Sequence, residues 1–204
     1  MILSAWTDKG GTGKTTIAVN VASYLGLPLV DLDPQGDASR WAKRAGIECQ
    51  LIDDDIEARA FLTTKATSRD LVVVDCPPGQ GVRSLVAAGL STVVLVPTKP
   101  GEQDVIALGR ALTVLMRAKT SGNPGMEIAV ILNGAKETNR SSMVEEALRQ
   151  EAEKGVFSYL GRLDHRTSVE NAYPEGKTLL QAGGAAANEM RSILEKLRNC
   201  KILR

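Results

Sequence analysis

The stretch TDKGGTGKTT, Thr7–Thr16, limits the folds open to this chain more than any other segment. A short apolar run, Ile2-Leu3-Ser4-Ala5-Trp6, precedes it, and an apolar-periodic pattern from Lys14 to Leu25 follows. Gly10, Gly11 and Gly13 let the backbone turn tightly and aim its N–H groups inward, toward an anion. The helix that follows adds the positive end of its dipole. The spacing comes close to G-x-x-x-x-G-K-[ST], the pattern of a phosphate-binding loop. Gly13, Lys14 and Thr15 close it correctly, whereas Asp8 stands where the first glycine belongs. In such a loop Lys14 reaches the β- and γ-phosphates, Thr15 places its hydroxyl on Mg²⁺, and Thr12 and Thr16 complete the cradle. A glycine-rich turn without chemistry is the plain alternative, and the flanking strand and helix patterns argue against it.

Further apolar runs recur at Leu29–Leu32, Leu71–Val74, Thr92–Val96 and Ile128–Leu132, with a sixth, shorter one around Phe157–Leu160. They are continuous and rich in β-branched residues, as strands buried on both faces are. Helical patterns lie between and after them at Asp37–Ala45, Gln103–Ala118, Ser142–Ala152 and Ala185–Leu197. Strands alternating with helices predict a doubly wound α/β domain with a mainly parallel sheet and helices on both faces. The 204 residues fit one such domain spanning 1–204. The acidic cluster Asp53-Asp54-Asp55 with Glu57 suits either a metal or the start of a short helix, and helix N-terminal preferences favour the second.

Composition narrows the function. Aromatics are 3% of the chain and the net charge is +1, so neither stacking platforms nor a global basic field points to nucleic acid. Any DNA contact must come from a local patch. Cys49, Cys76 and Cys200 are odd in number, far apart and lack C-x-x-C spacing, which disfavours a disulfide framework or zinc site and suggests a reducing compartment. With no run near the roughly 18 apolar residues of a membrane span and no signal-peptide pattern, a cytoplasmic protein is expected.

Lys9 is the sharper clue. One ammonium already serves the terminal phosphates, so a second lysine must face solvent or serve another site. The pattern K-G-G-x-G-K-[ST]-T, Lys9–Thr16, resembles the deviant Walker A motif of the ParA/MinD ATPases. The resemblance implies ATP and Mg²⁺ as cofactors, with Lys9 crossing a dimer interface to the ATP of a second copy, as an arginine finger does in trans. Two more motifs carry it. VDLDPQGD, Val30–Asp37, looks like the family's second motif; it implies that Asp33 positions the attacking water and Mg²⁺ and that Asp31 supports the region. Asp33 could instead cap the helix that Pro34 opens. DLVVVDCPP, Asp70–Pro78, looks like a Walker B strand, with Asp75 holding Mg²⁺ through water and the Pro77-Pro78 loop sensing the γ-phosphate. Cys76 reads as a small buried residue.

Weaker matches follow. PTKPGEQD, Pro97–Asp104, resembles the segment that turns into a helix at the dimer surface. Asn133 resembles a base-contacting asparagine, and the loop after Tyr159-Leu160 could close over the adenine. Arg166, Glu170 and Gly176 match the family's late segment approximately, without its expected proline, and the resemblance implies Asp164 and Arg166 as nucleotide contacts. His165 reads as an exposed loop residue.

With the loop beginning at Asp8, the resemblance points to the small ParF-like plasmid partition ATPases, without an N-terminal helix-turn-helix domain. It implies an ATP-dependent homodimer that binds DNA non-specifically, is nucleoid-associated in the ATP state, and is released when a centromere-binding ParB-like partner stimulates slow hydrolysis. Candidate DNA contacts are Arg140, Arg149, Arg162, Arg166, Lys177, Arg191, Lys196, Arg198 and Lys201, each of which could equally be a solvated charge. Met190, Ile193, Leu194 and Leu197 recur at helical spacing, followed by Ile202 and Leu203; this stripe fits packing on the domain edge better than a MinD-like membrane helix. An iron–sulfur reductase lacks a recognisable cysteine pair, and a small-molecule ligase stays open. So does a protein assembly as the cargo in place of DNA.

Overall fold

The computed structural model describes residues 1–68 and 70–199. Seven parallel strands form one sheet: β1 (Ile2–Ala5), β2 (Leu29–Asp31), β3 (Cys49–Leu51), β4 (Val72–Asp75), β5 (Val93–Thr98), β6 (Glu127–Ala135) and β7 (Ser158–Asp164). Their order is β3-β2-β4-β1-β5-β6-β7. Every neighbouring pair is parallel. Side chains alternate between two cores. Leu3, Leu29, Val73, Leu95 and Ile131 face α1 (Lys14–Leu25), α2 (Asp37–Ala45), α7 (Thr167–Glu175), α8 (Leu179–Ala182) and α9 (Gly184–Asn199). Ile2, Val30, Val74, Val94 and Val130 face α3 (Asp55–Thr67), α4 (Val82–Leu90), α5 (Glu102–Ser121) and α6 (Asn139–Glu153). Burial on both faces is why the strands read as unbroken apolar runs.

Several elements depart from the sequence reading, which has no β3, α4, α7 or α8 and a shorter β7. β3 pairs Leu29–Asp31 of β2 at the sheet edge, yet Gln50 and Leu51 are exposed, so it lacks the apolar signature of a covered strand. β7 runs on to Asp164 rather than ending near Leu160. The register shift between Val130 and Ile131 of β6 leaves Leu160 without a register partner and sets Gly161 opposite Ile131, where a Cβ would stand 3.2 Å from Ile193 Cγ1. A glycine that looks like a strand breaker therefore makes room for α9. The expected loop after Leu160 is displaced to His165-Arg166.

The acidic cluster does begin a helix: Asp54 accepts hydrogen bonds from the backbone N–H groups of Ile56 and Glu57. No described helix is long and apolar enough to cross a membrane. The stripe Met190, Ile193, Leu194 and Leu197 is fully buried against the sheet. Ile202, Leu203 and Lys201 lie outside the described residues, as does Cys200.

Candidate functional site

The crossovers of a parallel sheet put every helix N-terminus near the carboxyl edge of the strands, and the site is built there. β1 ends at Ala5, and Thr7–Gly13 then loops back into α1. Gly11 (φ 71°) and Gly13 (φ 99°) occupy the left-handed region. A Cβ at Gly13 would also meet Asn133 Nδ2 at 2.0 Å, so only glycine fits there. No side chain caps α1, leaving its first-turn N–H groups for an anion.

Lys14 is buried and points back over the loop, its Nζ donating to the Lys9 carbonyl at 3.3 Å. Burial lowers its pKa, while Asp75, Cys76 and Asp33 hold it up. Thr15 Oγ1 donates to Asp75 Oδ2 at 2.7 Å. Asp75 Oδ1 is buried and has no protein partner among the described residues. A hydroxyl and a carboxylate oxygen are hard donors, so this pair fits Mg²⁺. When bound, the ion would neutralise charge on the β- and γ-phosphates. Burial, with the like charge of Asp31, pushes the Asp75 pKa up to about 8 against the pull of Thr15 and Lys14.

Asp31 and Asp75 are register partners on β2 and β4. The Asp31 carboxylate accepts from the N–H of Asp33 at 3.0 Å and of Ser39 at 2.8 Å, which fixes the loop into α2. Asp33 is half-buried, and its own Oδ1 accepts from Gln35 N. Asp33 therefore stands just before the Pro34 turn and α2 begins at Asp37, with Gly36 as its N-cap and no side-chain cap. The helix-capping alternative for Asp33 is not what this geometry shows.

Lys9 faces away from Lys14. Its Nζ donates to Asp104 Oδ1 on α5 at 2.7 Å, and the side chain is 38% exposed. Neighbouring Asp8 accepts from Arg110 Nε of α5 at 2.8 Å and from Gln80 Nε2 at 3.1 Å. Sequence reasoning missed Gln80, Asp104 and Arg110, because their partners are more than seventy residues away. The loop after β4 is also held from below, where the buried Trp6 indole donates to the Gly79 carbonyl at 3.1 Å.

The second-half candidates divide. Asn133 reaches the loop: its Nδ2 donates to the Thr12 carbonyl at 2.7 Å. Thr12 Oγ1 is buried without a protein partner beside it among the described residues. Asp164 sits in an ion-pair cluster, accepting from Arg162 Nε and from Arg166 Nη2 at 3.1 Å, while Glu189 takes Arg166 and the Asp164 N–H. His165 is exposed, 3.7 Å from Glu170. Among the proposed DNA contacts, Arg149, Arg162, Arg166 and Lys177 pair with carboxylates of the same chain. Arg140, Arg191 and Arg198 are exposed and have no carboxylate partner among the described residues.

The sequence profile of the CobQ/CobB/MinD/ParA nucleotide binding domain matches residues 3–179, a span that begins in β1 and ends in α8. The chain belongs to that family. Its relatives include the maintenance of carboxysome distribution protein A of Halothiobacillus neapolitanus, 29% identical over 93% of this chain and 92% of that protein. The protein of the same name from Gloeobacter kilaueensis is 32% identical over 92% and 88%. A plasmid partition protein of Borrelia burgdorferi bound to AMPPNP shares the fold, with a TM-score of 0.78, 18% identity and coverage of 97% and 98%. As a ParA/MinD-family protein, this chain is a nucleotide-binding ATPase whose Lys9–Thr16 loop, Asp33 and Asp75 gather at one sheet edge.

Proposed function

We propose that the protein is a positioning ATPase that binds ATP and Mg²⁺, closes into a homodimer around them, and binds DNA non-specifically in that state. A ParB-like partner stimulates hydrolysis and so releases it. The observation that carries this reading is the pair of lysines on one loop, Lys14 turned in to the phosphate cradle and Lys9 turned out to the first turn of α5. In this reading the outward lysine leaves Asp104 to meet the nucleotide of a second copy. Exposed apolar residues in the first two turns of α3, α4 and α5 support closure of this same edge: Ile56, Val82, Leu85, Val105 and Ile106.

In the reading, Lys14, Gly10–Gly13 and the α1 N-terminus hold the triphosphate, Thr15 and Asp75 hold the ion, and Asp33 orients the attacking water. Asn133 keeps its Oδ1 for the adenine amino group, and Asp164 lies near the base. The carboxysome-distribution relatives favour a protein assembly as the cargo, whereas the partition fold neighbour keeps DNA segregation as the second reading. Light scattering and DNA co-sedimentation in apo, ADP and ATP states test the core of the proposal. A monomer in every state, or DNA binding indifferent to nucleotide, refutes it. Vesicle binding without DNA binding would favour a membrane role instead.

A further inference from the structure

Arg83 lies in the first turn of α4, where the helix dipole is positive and a cation is disfavoured, and no acidic residue shares that turn. Its side chain is nevertheless only 17% exposed. Nε stands 2.7 Å from Asp55 Oδ1, in the first turn of α3. Nη1 donates to the Leu32 carbonyl at 3.1 Å, the peptide oxygen immediately before Asp33. One guanidinium thus ties together the helix after the 76–81 loop, the helix after β3, and the loop after β2. The planar fork of arginine meets the carboxylate and the carbonyl with separate nitrogens, Nε and Nη1, whereas an ammonium would have to bring both acceptors to one nitrogen.

The contact with Leu32 is the informative one. Leu32 is fully buried, its N–H donates to the Asp75 carbonyl at 2.9 Å, and its carbonyl is held by Arg83. The next N–H, that of Asp33, is held by Asp31. The Leu32–Asp33 peptide is therefore held at both of its polar groups, the carbonyl by Arg83 and the N–H by Asp31, with the Leu32 N–H fixed in turn by the Asp75 carbonyl. The same α4 begins just after Gln80, which contacts Asp8 of the phosphate loop. We propose that Arg83 is a positioning residue for ATP hydrolysis: it fixes the Leu32–Asp33 peptide so that the Asp33 carboxylate stands where a water attacks, and it links that position to the loop after Asp75. This inference rests on the hydrolysis reading given above.

The test is steady-state ATP hydrolysis by wild type, Arg83→Ala and Arg83→Lys, alongside binding of a fluorescent ATP analogue. Misplacing a group that orients the nucleophile should lower kcat about tenfold to a hundredfold in Arg83→Ala, with KM and analogue affinity moving less than about threefold. Free guanidinium at low millimolar concentration should restore part of that rate and leave wild type unchanged. Arg83→Lys should be intermediate, and it supplies the reading if Arg83→Ala does not fold. A rate loss matched by an equal affinity loss, no guanidinium rescue, or wild-type turnover in both variants overturns the inference while the ATPase reading stands. A wild type that binds ATP but never hydrolyses it overturns both.

Discussion

Lys9 and Lys14 share a loop but make different contacts, and the difference lies in what each ammonium meets. Lys14 is buried over its own loop, so, on the proposed reading, Lys14→Ala should abolish tight ATP binding in calorimetry while leaving the melting temperature close to wild type. Lys9 is held by Asp104, and any contact with a second copy must first break that 2.7 Å pair. Asp104→Asn should therefore shift ATP-dependent dimerisation to lower protein concentration in light scattering, whereas Lys9→Ala should lose the dimer and keep monomer binding. A Lys9→Ala protein that dimerises normally counts against the role proposed for it. Asp75 gives a pH signature. Its pKa is pushed up to about 8, so the folded state holds the proton more tightly than the unfolded chain. The contribution of Asp75 to the stability of the metal-free protein should then be fully present below the ordinary carboxylate range and be lost as pH rises between about 4 and 8, a decline read as the difference from Asp75→Asn. Thermal melts of both proteins in chelator should show that decline; a difference that stays constant with pH would refute the shift. Thr15 and Asp75 were legible because motif spacing names them. Asp104, Arg110 and Gln80 were not, since nothing local in the sequence marks a contact across seventy or more residues.

At the scale of elements, strands covered on both faces announced themselves and the others did not. β3 is an exposed three-residue edge, and α4, with the sequence VRSLVAAGL, carries no polar face to set a helical period against its apolar one. The phosphate loop depends on β6 as well as on itself, because Asn133 occupies the space a Gly13 side chain would need. Gly13→Ala should displace Asn133, strain a positive φ, and cost more than about 1 kcal/mol as well as nucleotide affinity. α9 is the converse case, where periodicity alone was enough: its buried stripe packs on β7 as the spacing suggested. Leu194→Ala should cost about 2–5 kcal/mol in denaturant unfolding, the range for a deleted core leucine. A cost near zero would mean that the helix is not docked, and would reopen the membrane alternative.

For the molecule as a whole, the second-half basic residues are less available than composition suggests, since the pairs around Glu145, Asp164 and Glu189 absorb several of them. DNA binding in the ATP state should therefore lean on Arg140, Arg191 and Arg198, doubled by dimerisation. Arg198→Ala should make the salt slope of binding shallower, by about one unit for each phosphate that the arginine neutralises in the dimer. The continuous apolar runs determined the sheet and its layers, and the Lys9–Thr16, Asp33 and Asp75 motifs named the residues that meet at one end of it, because continuous burial and short-range backbone geometry are written locally. Only the tertiary structure decided that Lys9 rests on Asp104, that Asn133 braces the loop, and that Arg83 grips the peptide before Asp33. Those contacts join segments that meet only when the crossovers bring strand ends to one edge, and chain connectivity alone does not reveal which side chains will face each other there.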